Sequence, residues 1–285
     1  MIIDLHCHTT ASDGTLSPQD LVARAVHDRV DVIAVTDHDT TDGIEAAVRT
    51  GAELGVRVVP GIELSARHEG RNVHVLGYFL DPTSLQLRSV LSDMREARLE
   101  RAKKIVRRLN ELGYSITWED VLEQASGRVV ARPHIARALV ARGHIASVKQ
   151  AFSPDLIADG GRADVPKETL TAFQAIGVIR AAGGASVIAH PGVGHHDGEA
   201  RAVRVDMIEA LCATGLKGLE VEHPDHPPLL TDELYALAER IGLIATGGSD
   251  FHGDTGHVIG NFRTKPDMLE RLEAVAVSGR SSASG

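Results

Sequence analysis

Met1-Ile2-Ile3-Asp4-Leu5-His6-Cys7-His8 opens the chain, and Asp13 follows closely. The run before His6 is apolar and strand-like, and it ends on two histidines two residues apart. In an extended strand such residues face the same side, so His6 and His8 point together. The same form recurs along the chain. Short apolar runs lead into Thr36-Asp37-His38-Asp39, Gly61-Ile62-Glu63, Asn72-Val73-His74, Ala189-His190-Pro191 and Gly248-Ser249-Asp250-Phe251-His252.

Working outward from these segments, strand patterns fall at residues 1–5, 31–35, 56–60, 73–77, 185–189, 218–221 and 243–246. Helix-like stretches at 17–26, 41–54, 203–213 and 232–240 alternate with them. Ser17-Pro18 reads as an N-cap with proline at the first helical position, and Thr41-Asp42 offers a similar start. Alternation of this kind predicts an α/β fold with a mostly parallel sheet, and about seven repeats can close a barrel. Functional residues in such barrels sit at the carboxyl ends of strands, where the sequence places each histidine–carboxylate segment.

The alternation breaks after Asp81-Pro82 and resumes near Gly177. Residues 85–112 have helical periodicity, 117–123 begin a second helix, and Arg132-Pro133-His134 opens a third. The expected organisation is a barrel of residues 1–84 and 172–285, with a helical insertion, 85–171, capping the active site. The Gly/Ser/Ala-rich stretch 279–285 reads as a frayed tail.

Composition narrows the chemistry. A chain of 285 residues with 43% apolar content can bury a sizeable core. The formal charge of −9 argues against a surface for long nucleic acid. Between Arg95 and Arg142, however, eleven Lys/Arg face six Asp/Glu, a local basic segment suited to a small anionic ligand. Two cysteines make no disulfide framework, no leader pattern opens the chain and no apolar run is long enough to cross a bilayer. These features predict a cytoplasmic protein.

Mixed imidazole and carboxylate ligands suit Zn, Mn or Fe and serve hydrolytic chemistry. Isolated histidines such as His27, His68, His144 and His257 read as ordinary surface or internally satisfied side chains, and His195 and His196 as loop residues. The joint pattern at strand ends is what predicts a metal cluster.

Taken together, His6-Cys7-His8, Thr10-Ala11-Ser12-Asp13-Gly14, Thr36-Asp37-His38-Asp39, Pro60-Gly61-Ile62-Glu63, Ala189-His190-Pro191 and Gly248-Ser249-Asp250-Phe251-His252 resemble the motifs, in order, of the PHP (polymerase and histidinol phosphatase) superfamily. The resemblance covers nearly all of the chain except the insertion. It implies a distorted (β/α)7 barrel with a trinuclear site. His6, His8, Glu63 and Asp250 would hold the first ion, and Glu63 would bridge to a second completed by His74 and His190. Asp13, His38 and His252 would hold the third. The resemblance thus implies two or three divalent ions, manganese foremost, with iron and zinc as alternatives. Three such ions bring a charge of about +6 against three carboxylates, making a positive pocket on an acidic protein.

Within the superfamily, the insertion and the stretch Gly218–His226 look most like nucleoside 3′,5′-bisphosphate phosphatases. That likeness implies removal of the 3′-phosphate to leave the 5′-monophosphate, with 5′–3′ trimming of short RNA as a related activity. Arg132 at a helix start, with His134 beside it, suits a phosphate, and Lys167 is a further candidate. His223, at a strand end, could bind phosphate or protonate the leaving oxygen. Glu63, His223 and Asp39 are the catalytic candidates. Asp164 and Glu222 stand where relatives often carry tyrosine, and aromatic residues are scarce at 3%, with Trp118 and Tyr114 in the insertion. The alternatives are a histidinol phosphate phosphatase and a non-catalytic, metal-stabilised PHP module.

Overall fold

The computed structural model describes residues 1–125, 130, 132–158, 160–166, 169–192, 204–253 and 256–282. Lys167, His195 and His196 lie outside them. The chain divides into two compact units, Met1–Val90 with Leu170–Gly285, and Leu91–Thr169.

The larger unit holds strands β1 (Ile3–Cys7), β2 (Val32–Val35), β3 (Arg57–His68), β4 (Arg71–Tyr78), β5 (Leu170–Thr171), β6 (Ala185–Ile188), β7 (Gly218–Glu222) and β8 (Ile244–Gly247). Seven of them run in the order β1-β2-β3-β4-β6-β7-β8, and the short β5 adds to β3. The sheet nearly closes on itself. Cys7 forms a parallel bridge with Phe251, His8 N–H donates to the Phe251 carbonyl at 2.9 Å, and Thr264 N–H donates to Ile3 at 3.0 Å. This is the expected distorted seven-stranded α/β barrel with a helical insertion. Its strands read as unbroken apolar runs because helices cover the sheet, and all five residues of β1 are buried.

Helices α1 (Pro18–His27) and α2 (Ile44–Leu54) follow β1 and β2. The Ser17 side chain caps α1 by accepting from Asp20 N–H, as the Ser-Pro pair predicts. For α2 the expected start at Thr41 is corrected: the cap is Gly43, and Thr40 Oγ1 accepts from Asp42 N–H in the turn before it.

One strand departs from the parallel rule. β4 runs antiparallel to both β3 and β6. Glu69 and Gly70 join β3 to β4 with φ of 46° and 78°, the positive values that a two-residue hairpin turn needs. β3 therefore continues to His68, beyond the stop expected at Pro60, and Glu63 lies within it rather than at its end. His74, expected at a carboxyl end, sits opposite Ser65 in the first half of the reversed β4. It reaches the same rim because its strand runs the other way.

The smaller unit takes in most of α3 (Leu85–Glu111), with α4 (Trp118–Gln124), α5 (Arg132–Ala141) and α6 (Val148–Ala151). It has its own core, including Ile105, Leu109, Val121, Ile135, Leu139 and Ile157. Thr117 and Asp120 form a capping box at the start of α4. Asp164 pairs with Arg101 at 3.0 Å, so this carboxylate meets a base.

The larger unit then resumes with α7 (Ala172–Ala181), α8 (Val205–Cys212), α9 (Pro228–Ile241) and α10 (Pro266–Ser282). The reach of α10 to Ser282 corrects the expectation of a tail frayed from residue 279. Its Leu269, Leu272 and Ala276 pack with Ile3, Leu5, Val187 and Ile244 of the barrel. Among the described residues no helix is long and apolar enough to cross a membrane.

Candidate metal centre

Glu63 is the hub of the site. It is fully buried, and five imidazoles surround its two oxygens. Oε2 lies 3.2 Å from His6 Nε2, 3.3 Å from His8 Nε2 and 3.1 Å from His38 Nδ1. Oε1 lies 2.7 Å from His74 Nδ1 and 3.1 Å from His190 Nε2. Asp250 Oδ1 stands 3.0 Å from His8 Nε2 and 3.3 Å from His6 Nε2. Asp13 Oδ1 is 3.3 Å from His252 Nε2, and its Oδ2 is 3.8 Å from His38 Nε2.

These atoms fall into three overlapping groups that could each hold an ion: His6, His8, Glu63 and Asp250; His38, Glu63 and His74; and His8, Asp13, His38 and His252. The first is the set that the resemblance implies. In the second, His38 stands where the resemblance puts His190, although His190 approaches the same Glu63 oxygen. In the third, His8 joins the implied residues.

The residues fit divalent cations. Both ring nitrogens of His8 and Nδ1 of His38 are buried without a hydrogen bond of acceptable geometry, although carboxylate oxygens stand near them. Buried polar atoms left in that state cost about 1–3 kcal/mol each, and a cation between nitrogen and oxygen removes the cost. Two ligands about 2.1 Å from one ion at right angles stand about 3 Å apart, the spacing seen around Glu63 and Asp250. The donors are imidazole and carboxylate; the Cys7 thiol lies in the apolar cluster with Leu21, Ile33 and Phe251.

Electrostatics shows what the cluster lacks. Burial opposes charge on Glu63 and Asp250, yet the surrounding histidines hold both carboxyls well below their ordinary range. Burial also opposes protonation of His8, but Asp250 and Glu63 outweigh it and push His8 up to about 10. His38 goes the other way, pushed down to about 4 chiefly by burial. Without metal, protons on imidazoles supply the positive charge that the carboxylates require.

A second layer of carboxylates orients the first, and the sequence reading missed it. Glu220 on β7 takes the His6 Nδ1–H through Oε1 at 2.9 Å and the His190 backbone N–H through Oε2 at 2.7 Å. His6 is thereby set with Nε2 facing Glu63 and Asp250. Asp4 accepts from Ser249 N–H at 2.9 Å and Gly260 N–H at 2.7 Å, fixing the loop that carries Asp250. Asp37 accepts from Thr9 N–H and from the Thr9 and Ser12 hydroxyls. The available signal was a carboxylate alternating with apolar residues inside a buried strand, as in Gly218-Leu219-Glu220-Val221.

Asp39 accepts from Ser65 N–H at 2.7 Å and Ser65 Oγ at 2.9 Å, tying the turn after His38 to β3. Asp39, His190 and Asp250 hold φ of 53°, 23° and 48°, strained for non-glycine residues, as is common where function dictates geometry. His223 Nδ1 accepts from Asp225 N–H at 3.1 Å, so the neutral ring carries its proton on Nε2, 3.6 Å from Asp250 Oδ2. Glu222 accepts from the Tyr235 hydroxyl at 2.9 Å. In the helical unit, Arg132 donates to the Ile157 carbonyl at 3.2 Å and lies over Phe152, and His134 is half-buried in the first turn of α5.

Known proteins resemble this chain. The PHP domain profile matches residues 4–174. The 5′-3′ exoribonuclease Rnm of Salmonella typhimurium is 38% identical, covering 88% of this chain and 85% of that protein. The phosphoribosyl 1,2-cyclic phosphate 1,2-diphosphodiesterase of Eggerthella lenta is 34% identical over 90% and 97%. The 3′,5′-nucleoside bisphosphate phosphatase of Chromobacterium violaceum is 33% identical over 95% and 94%. A solved structure from Bifidobacterium adolescentis, described as a metal-dependent phosphoesterase, superposes with a TM-score of 0.84 at 35% identity, covering 96% of each chain. Its barrel, its clustered ligands and these end-to-end likenesses agree: the chain belongs to the PHP family.

Proposed function

We propose that this phosphoesterase removes the 3′-phosphate of nucleoside 3′,5′-bisphosphates, giving the 5′-monophosphate and inorganic phosphate. The observation that carries the reading is the likeness to the Chromobacterium violaceum bisphosphate phosphatase along nearly the whole of both chains, with a cluster able to hold several ions. His6, His8, Glu63 and Asp250 would hold the first ion. Glu63, His74 and His190, with His38 in reach, would hold the second, and Asp13, His38 and His252 the third. Bound ions, manganese foremost, would supply Lewis acidity, offsetting phosphate charge and making a water nucleophile available near neutral pH.

The chain's own groups supply orientation and hydrogen bonds. His223 presents Nε2–H beside Asp250, placed to hydrogen-bond the leaving 3′-oxygen or a phosphate oxygen. Asp39 acts through Ser65 as a positioning residue for His38. Arg132, His134 and Lys167 are our candidates for the second phosphate, on charge and on the helix start at Arg132. Two cysteines without a disulfide suit a reducing compartment, so we place the reaction in the cytoplasm.

A second reading draws support from the Salmonella exoribonuclease. The 5′-phosphorylated end of an RNA presents the same P–O3′ bond, with a nucleotide in place of the free phosphate oxygen. Short RNA is therefore a substrate of the same chemistry. The test is product release with added manganese from adenosine 3′,5′-bisphosphate, a 2′,5′-bisphosphate, histidinol phosphate and short 5′-phosphorylated RNA. Turnover of the 3′,5′-bisphosphate well above the other monoesters is expected. Preference for histidinol phosphate, or inertness toward every ester in the loaded protein, would overturn the reading.

A further inference from the structure

We propose that the tip of the β3–β4 hairpin guides the RNA strand beyond the scissile bond, with Arg67 contacting its backbone phosphate and Phe173 and His68 stacking a base. The inference rests on the phosphoesterase reading in its oligonucleotide form. β3 and β4 keep unbroken register from Gly61 opposite Tyr78 to His68 opposite Arg71. Glu63, Ser65 and Arg67 therefore alternate onto one face, which Glu63 marks as the one carrying the metal cluster. His68 falls on the other, so the cleft that Arg67 and His68 share lies around the hairpin tip. Four residues of strand separate Arg67 from Glu63, about 13 Å of backbone, further than one nucleotide reaches from a phosphate held at the cluster.

Arg67 is also free to take an anion. Its side chain is exposed, and among the described residues its guanidinium meets only the Gly70 carbonyl at 3.3 Å, with no carboxylate partner. The same residue lines a cleft of about 340 Å³ with His68, Phe173, Met207 and Ala210. Phe173 is 40% exposed in a protein with few aromatic residues, and its ring centroid stands 5.4 Å from that of His68. An exposed phenyl beside an imidazole, flanked by apolar side chains and with a cation at the edge, is the chemistry that holds single-stranded nucleic acid by stacking. Two carboxylates, Glu69 and Asp206, border the cleft, and both are engaged by Arg204, at 2.9 Å and 2.6 Å. Arg204 offsets one of these two negative charges, and Arg67 is the cation of the cleft without a carboxylate partner among the described residues.

The test uses the manganese-loaded full chain on adenosine 3′,5′-bisphosphate, a 5′-phosphorylated diribonucleotide and a 5′-phosphorylated hexaribonucleotide. Phe173→Ala and Arg67→Ala are each expected to raise KM for the hexamer about tenfold, with the two shorter substrates within about twofold of wild type. Arg67→Lys, which keeps the charge, recovers part of the loss, and unchanged melting temperatures confirm intact folding. A loss shared by all three substrates, no change on the hexamer, or a wild type inert toward the hexamer overturns the guide. Cleavage of the hexamer with the expected KM shifts but no action on the bisphosphate upholds the guide and removes the 3′-phosphatase reading. Action on the bisphosphate alone does the reverse.

Discussion

Glu63 has two oxygens and five imidazole neighbours, an excess that hydrogen bonds alone do not satisfy and shared cations do. Glu63→Gln keeps the shape and halves the donor capacity. We expect kcat to fall on the order of 10²–10³-fold, with bound metal per chain reduced, read by steady-state kinetics and elemental analysis. Near-wild-type turnover with full metal content would remove Glu63 from the centre. Glu220 acts one step back, through His6 and the His190 backbone. Glu220→Gln should weaken metal affinity or activity about 10–100-fold, with added manganese recovering much of the rate.

Protons and metals compete for the same imidazoles. His8, pushed up to about 10 by Asp250 and Glu63 against the effect of burial, keeps its proton through neutral pH in the metal-free protein. Metal uptake must displace it, so affinity should rise with pH and binding should release protons, measurable by calorimetry in buffers of different ionisation enthalpy. The sign for stability follows from the same shift. A group raised in the folded state stabilises below its unfolded value near 6.5 and loses that effect as pH climbs toward 10. The metal-free protein should therefore melt at lower temperature as pH rises through this window, and the loaded protein should change less.

At the scale of elements, the site depends on how closely β1 and the loop after β8 approach. A Cβ built on Gly248 would stand 2.3 Å from the His6 Cβ and 2.5 Å from its backbone nitrogen. Gly248→Ala must push the Asp250 loop away from β1, separating ligands of the first group. The expected outcome is loss of at least one bound ion per chain and a fall in melting temperature; unchanged metal content would show that the loop yields elsewhere. Much of this level was legible beforehand. The seven strand patterns of the sequence all became strands, because buried strands leave short apolar runs bounded by turns. The reversal of β4 was not read, although Glu69-Gly70 between alternating residues is a hairpin signal. Helix α7 was missed although Thr171 and Gln174 form a capping box. The alternation around Glu220 was a signal of a buried carboxylate, but the roles of Asp4, Asp37 and Glu220 were not legible, because their partners are distant in sequence and only the folded barrel brings them together.

At the scale of the molecule, the larger unit is organised around a cluster that concentrates Asp13, Glu63 and Asp250 among six histidines at one rim. Removing the metals with a chelator should abolish activity and lower the melting temperature by several degrees, with manganese restoring both, because ions that bind only the folded state stabilise it by mass action. A chelated protein of unchanged melting temperature would mean that the ions are bound too weakly to matter for folding. The helical unit was legible as an interruption of the strand–helix rhythm, and its internal core gives it coherence. Arg132 was legible as a cation at a helix start, but the sequence held no sign of its bond to Ile157 or its approach to Phe152.

The bridge between Cys7 and Phe251 that joins the first strand to the segment after the last makes the native thiol a built-in clock. Cys7 is wholly enclosed and its thiol is pushed well upward by burial, so alkylating reagents should reach partly exposed Cys212 first. Cys7 can react only when the packing around it opens, at the seam or against α1, and its labelling half-life would time that event directly. Saturating manganese, by clasping His6, His8 and Asp250 across the seam, should lengthen that half-life while leaving the Cys212 rate untouched; equal half-lives with and without the metal would mean that the seam opens independently of the ions.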